Sequence, residues 1–239
     1  MTEQNTDLEP FAKFVDALDP WLEQVVLIGG WAHRLYRLDS RARKLPYLPI
    51  TTLDGDVAVP TKLKAEESGV RERLLKAGFK EEFVGEDQPP ATQYHYGQEG
   101  GFYVEFLSPL IGSEYDRHGK RKATREVGGI SSQQLRYIEI LMLDPWRIAL
   151  GEQDGYPFKP ARKVLVANPT SFLAQKILII TNGTIKTVRK TSSTRTTQLS
   201  CFRSTWTSCR RFIGRFFNRN YTAIEVQNYR TLRTGYSVE

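Results

Sequence analysis

Apolar residues recur at helical spacing over residues 8–19, where Phe11, Phe14, Val15 and Leu18 share one stripe before Pro20 closes or turns the helix. The run VVLI at 25–28 has the apolar, β-branched character of a buried strand. Gly29 and Gly30 then let the backbone turn tightly into WAHRLYRL, so the predicted unit is strand, glycine turn, helix. Residues 39–50 form a basic, proline-containing loop ahead of TTLDGDVAVP, an alternating strand stopped by Pro60. KLKAEESGVRERLLKAGF is an amphipathic helix interrupted at Gly69 and ended by Gly78. Three strand-like pieces follow: FKEEFV, ATQYHYG and GFYVEFLSPL. QQLRYIEILML fits a strand or a helix by pattern alone, while NPTSFLAQKILII opens on a turn-and-cap signal and continues as a helix. The pattern predicts a mixed α/β domain, with a helix-linked strand pair followed by a meander and no internal repeat.

Composition narrows the class. The 239 residues are 40% hydrophobic and 26% charged, which excludes a disordered chain, a collagen and a small disulfide-stapled module. No run reaches the roughly 18–20 apolar residues of a membrane span, and MTEQNTDLEPF lacks the basic-then-apolar order of a signal peptide. A cytoplasmic protein with no membrane partner is expected, with Cys201 and Cys209 as free thiols.

Charge divides the chain more sharply than any linker. Of 34 Lys and Arg and 27 Asp and Glu, residues 181–239 hold 11 and 2, a net +9, which leaves residues 1–180 with 23 and 25, a net −2. The tail also carries 18 Ser and Thr, both cysteines and no Asp, which places a boundary near Ile180.

The candidate chemistry lies in carboxylates. Residues two apart on a strand point the same way, so Asp54 and Asp56 present two carboxylates together while Leu53, Val57 and Val59 pack on neighbours. Such a pair can grip a divalent cation, and Mg²⁺ prefers one or two carboxylates with water and substrate phosphate in its other positions. Glu105 is the one charged residue in GFYVEFLSPL; an acid enclosed in such a run needs a metal, a cation or solvent, and its charged form is expected to be disfavoured there. Each feature alone has an ordinary reading, as solvated surface for the aspartates and as a simple turn for the glycines. Together they offer backbone N–H groups to phosphate and carboxylates to the metal that bridges those phosphates.

This order of parts, an apolar strand into GGWA, a gap of about two dozen residues, T-x-D-x-D with apolar flanks, and a later strand carrying an acid, resembles the nucleotidyltransferase superfamily. The likeness is nearest to bacterial stand-alone nucleotidyltransferase-like proteins, neighbours of the AbiEii-type toxins and minimal nucleotidyltransferases. It runs through VVLIGGWAHRLYR, TTLDGDVAV, YVEFLSPL, QQLRYIEILMLDPWRIAL and NPTSFLAQKILI, over roughly residues 20–180. The resemblance implies a mixed sheet flanked by helices, with a catalytic domain over 1–125, linking strands and the start of a helical region over 126–180, and the basic tail over 181–239. It also implies roles: Gly29 and Gly30 for the phosphate-contacting turn, Asp54 and Asp56 for the metal pair, Glu105 for the third acid, and Lys176 for a lysine aimed at the nucleotide. Gly30 stands where many members have Ser. Gly55 stands where a large apolar residue is usual, and a glycine there is expected to loosen the strand.

The activity so implied is transfer of a nucleotidyl group from a nucleoside triphosphate to an RNA or protein hydroxyl, with Mg²⁺ or Mn²⁺ and with Glu105 as general base or further metal ligand. The alternative is an inert nucleotide- or RNA-binding module that keeps the fold. A toxin of a toxin–antitoxin pair is a third expectation, to be judged on the neighbouring gene.

Other residues carry open alternatives. His33 either faces phosphate or packs; His95 between tyrosines reads as structural, and His118 as part of a charged loop. Arg41, Arg43 and Lys44 form either a solvated loop or a contact to triphosphate or RNA. Cys201 and Cys209 lack zinc-ligand companions. In the tail, where the resemblance asks for a Lys-Asp-Arg-x-Lys-Asp stretch and an apolar helix, the chain has TIKTVRKTSSTRTTQL. A one-base shift near residues 180–184, which the degenerate code permits, would explain a Thr-, Ser- and Arg-rich segment that disrupts the helical region. The rival is a genuine basic arm in which Arg210, Arg211, Arg215 and Arg219 interleave with Phe212, Phe216 and Phe217. Resequencing the gene separates the two.

Overall fold

The apolar stripe of the N-terminal helix and the alternation of the strands meet in one sheet with two unequal faces. The computed structural model describes residues 7–42, 52–87, 89–97 and 100–182. In chain order these form α1 (Leu8–Ala17), β1 (Val26–Leu27), α2 (Gly29–Leu35), β2 (Asp54–Ala58), α3 (Val70–Lys76), β3 (Lys80–Val84), β4 (Ala91–Tyr96) and β5 (Phe102–Pro109). They continue with β6 (Thr124–Val127), β7 (Ile130–Leu135), α4 (Ile138–Leu141), β8 (Trp146–Leu150), β9 (Arg162–Val166) and α5 (Pro169–Asn182). The cysteines, Arg43, Lys44 and residues 183–239 lie outside the described residues.

The sheet order is β3-β4-β5-β2-β1-β9-β8, with β7 joined to β5 and β6 to β7. At its centre β2 and β5 run parallel, with Asp54 opposite Tyr103 and Asp56 opposite Glu105. β1 runs antiparallel to β2 and parallel to β9. β5 changes neighbours along its length. Its first half pairs antiparallel with β4, and its last residues pair parallel with β7.

Each face has its own core. Val57 and Val59 of the β2 segment, Phe102, Val104 and Phe106 of β5, and Leu27 of β1 pack on Phe11 and Phe14 of α1 and on Trp31 and Leu35 of α2. The alternate residues Val26, Ile28, Ala58, Leu107 and Leu165 pack on Ile138 and Leu141 of α4 and Phe172 of α5. The second cluster covers only the half of its face that carries Ala58 and Leu107. Two residues back along the same strands stand Asp56 and Glu105, half-exposed.

Several predicted elements differ in extent. The helix expected from Lys62 begins only at Val70, because Gly69 is its N-cap in an extended conformation, φ −70° and ψ 163°. The ambiguous QQLRYIEILML is both: β7 ends at Leu135, Tyr137 takes a left-handed φ of 67°, and α4 follows. The strands β6, β8 and β9 have weaker patterns that single none of them out; β8 and β9 fall within the linking strands that the resemblance implies over 126–180. The cap read from NPTS is present: Asn168 Oδ1 accepts from Ser171 N at 2.8 Å, and Asn168 Nδ2 donates to the carbonyls of Leu143 and Asp144 at 2.9 and 2.7 Å.

Candidate active site

The site begins where β1 turns into α2. Ile28 N donates to Asp56 O at 3.0 Å, which locks the end of β1 to the aspartate strand just before the glycines. Gly29 then takes φ +65°, a left-handed conformation that side-chain-bearing residues rarely adopt. Its Cα sits so near the Asp56 carboxylate that a Cβ would collide with Oδ2, and a Cβ on Gly30 would collide with the Thr52 side chain. Both glycines are therefore used for close approach, one against an acid and one against the residue leading into β2.

Gly55 is also used for close approach, contrary to the loosening expected of it. A Cβ there would lie 2.6 Å from Val104 Cγ1 and 3.2 Å from Phe102 Cζ, so these β5 side chains already occupy the space a larger residue would fill. The β2–β5 pair keeps an unbroken register from Asp54 to Ala58.

Asp54, Asp56 and Glu105 share one face of the sheet, since Asp56 and Glu105 are register partners on parallel strands and Asp54 lies two residues before Asp56. Glu105 is half-exposed, not enclosed in its apolar run as the sequence led one to expect. The reason is alternation: Val104 and Phe106 point into the core on the other side. Tyr103 reports the convergence, because burial and then the carboxylates of Asp54, Glu105 and Asp56 hold its phenol above the ordinary value of 10.0.

The face continues outward from the acids. One row across the strands reads Asp56, Glu105, Gln93, Glu82, and the next reads Asp54, Tyr103, His95, Lys80. Gln93 Nε2 donates to Glu105 Oε1, and His95 Nε2 lies 3.2 Å from Gln93 Oε1 and 3.1 Å from Glu82 Oε2. The rings of His95 and Tyr103 stack at 5.3 Å and 24°. No sequence signal singled out Gln93, and His95, read as merely structural, borders the site on this face.

Among the described residues, no three His, Cys, Asp or Glu side chains close tightly enough to hold a metal ion by themselves. The donor set does fit a cation that arrives with phosphate: hard carboxylate oxygens on one open face, beside a glycine surface without side chains, leave room for the water and phosphate oxygens that Mg²⁺ keeps.

The remaining predicted residues are more peripheral. Lys176 is on α5, the helix packed over the covered half of the acids' sheet face, with its ammonium 5.0 Å from the centre of the Phe172 ring. His33 is buried and packs edge-on against Tyr36 at 6.3 Å; burial, then the charge of Arg37, hold it below the ordinary value of 6.5. Arg41 lies on the Trp146 ring at 3.9 Å and forms a two-pronged pair with Asp39, at 2.7 and 2.8 Å. His118 is exposed, its backbone N–H bonded to Asp116. No helix among the described residues is long and apolar enough to cross a membrane.

No curated protein matches the chain. Among solved structures it is similar to an antigenic nucleotidyltransferase-like protein from Paracoccidioides brasiliensis, at 16% identity over 81% of this chain and 73% of that one, with a TM-score of 0.36. A family model described as nucleotidyltransferase matches residues 7–196, from the first described residue through both glycines, all three acids and α5. The chain belongs to the nucleotidyltransferase family.

Proposed function

We propose that the chain transfers a nucleotidyl group from a nucleoside triphosphate to a hydroxyl acceptor, with Asp54, Asp56 and Glu105 as its acidic centre. The observation that supports this most is the contact of Gly29 with the Asp56 carboxylate on the face shared with Glu105. A bound Mg²⁺ or Mn²⁺ would supply charge stabilisation at the α-phosphate and on the departing pyrophosphate. Asp54 and Asp56 would hold that cation, and the bare backbone at Gly29 and Gly30 would receive the phosphates. The acceptor oxygen forms a bond to the α-phosphorus as the bond to the bridging oxygen breaks and pyrophosphate leaves. The free oxygen of Glu105 would join the aspartates on that cation, and the acceptor's proton passes to solvent water.

In-line displacement puts the acceptor opposite the leaving group. The glycine turn lies on the β1 side of β2, so the acceptor approaches over β5 and β4, past Glu105, Tyr103 and His95. An RNA or protein hydroxyl is the acceptor class we favour.

The test is incubation of the full chain with each α-labelled nucleoside triphosphate, Mg²⁺ or Mn²⁺, and separate RNA and protein fractions. Label enters one fraction with wild type and is lost, on the order of 100-fold or more, with Asp54→Ala or Asp56→Ala. Nucleotide binding with no transfer under any condition would instead identify an inert binding module.

A further inference from the structure

We propose that Gln93 is a positioning residue for Glu105, holding one carboxylate oxygen so that the other is presented to the cation and the acceptor; this rests on the proposed transferase reading. Gln93 and Glu105 are register partners on β4 and β5, so their side chains leave the sheet side by side on its open face. The amide Nε2 donates to Glu105 Oε1. A carboxylate with one oxygen fixed has little freedom to swing, and Glu105 is the register partner of Asp56 on the strand at its other side.

The amide is itself held. With Nε2 committed to Glu105, Gln93 Oε1 can only accept, and Glu82 Oε2 is an acceptor too. His95 Nε2 lies 3.2 Å from the first and 3.1 Å from the second, so it must carry a proton and donate toward both. Reversing the amide would set its oxygen against the Glu105 carboxylate and its NH₂ against a donor. His95 is kept in place by its stack on Tyr103, whose register partner is Asp54. The chain Glu82, His95, Gln93, Glu105 therefore has a fixed direction, with donors pointing toward the acid at each end.

The experiment measures Mn²⁺ retention by electron paramagnetic resonance on the full chain with a non-hydrolysable α,β-methylene ATP, in wild type, Asp54→Asn, Gln93→Met and Gln93→His. Gln93 is half-exposed, so these changes leave the core intact, and thermal unfolding of each variant verifies it. Gln93→Met keeps the length without the donor and is expected to weaken Mn²⁺ retention about 10-fold; Gln93→His restores an uncharged N–H donor and recovers most of the loss. In label transfer the same pair should change turnover more than the apparent affinity for nucleotide. Wild-type retention unaltered by Asp54→Asn overturns the transferase reading and this inference with it. Retention lost in Asp54→Asn but equal to wild type in Gln93→Met, or equally weak in Gln93→Met and Gln93→His, overturns the role of Gln93 alone.

Discussion

At Gly29 two separate demands fall on one residue, a left-handed φ of 65° and a surface without side chain against Asp56. Gly29→Ala violates both, and we expect it to reduce nucleotide binding, measured by titration calorimetry, more than Gly30→Ala, which meets only the Thr52 side chain. Gly55 tests packing at the same site. Gly55→Ala drives a methyl into Val104 and should destabilise the protein by about 1–3 kcal/mol, read as a shift in the denaturant midpoint. The loosening inferred from sequence for this glycine was wrong because its neighbours across β5 could not be seen from β2 alone. The acid pair and the diglycine turn were legible, since strand alternation and turn chemistry are local. Gln93 was not: its meaning comes from a register partner 12 residues away.

At the scale of elements, the candidate site lies on the part of one sheet face that, among the described residues, α4 and α5 leave uncovered. Asn168 governs that cover by capping α5 and tying its start to the carbonyls that follow α4. Asn168→Ala removes the cap and takes the amide donor from the Leu143 and Asp144 carbonyls, of which only the first keeps a second donor, Ser171 Oγ at 3.1 Å, so we expect a loss of about 2 kcal/mol, measured by chemical denaturation. Most long periodic elements were legible in the sequence, with α1, α5 and β2 to β5 near their expected positions. β6, β8 and β9 do not stand out by pattern because their residues alternate only briefly, the last two being foreshadowed only as linking strands by the resemblance, and the split of QQLRYIEILML turns on the left-handed backbone at Tyr137, which no periodicity announces.

For the whole molecule, the outer end of the sheet is pinned by Arg71 and Glu81, paired at 2.7 Å, with the Tyr94 hydroxyl 3.3 Å from the same carboxylate. The Arg71 hydrogen bond holds Glu81 below its ordinary value of 4.5. A carboxylate lowered in the folded state contributes stability above its unfolded value and loses it as pH falls through the folded one. Glu81→Gln should therefore lower the unfolding temperature at pH 7 and flatten its decline below pH 4.5, as followed by circular dichroism. Charge segregation also belongs to this scale: the family match ends at residue 196, inside the basic tail whose reading frame resequencing would establish.

The most direct test is anomalous diffraction from crystals of the full chain grown with Mn²⁺ and a non-hydrolysable nucleoside triphosphate. The account predicts a manganese peak on the carboxylates of Asp54 and Asp56, with phosphate oxygens lying over Gly29. A nucleotide bound on the face of Val57 and Val104, or manganese held away from both aspartates, would contradict it.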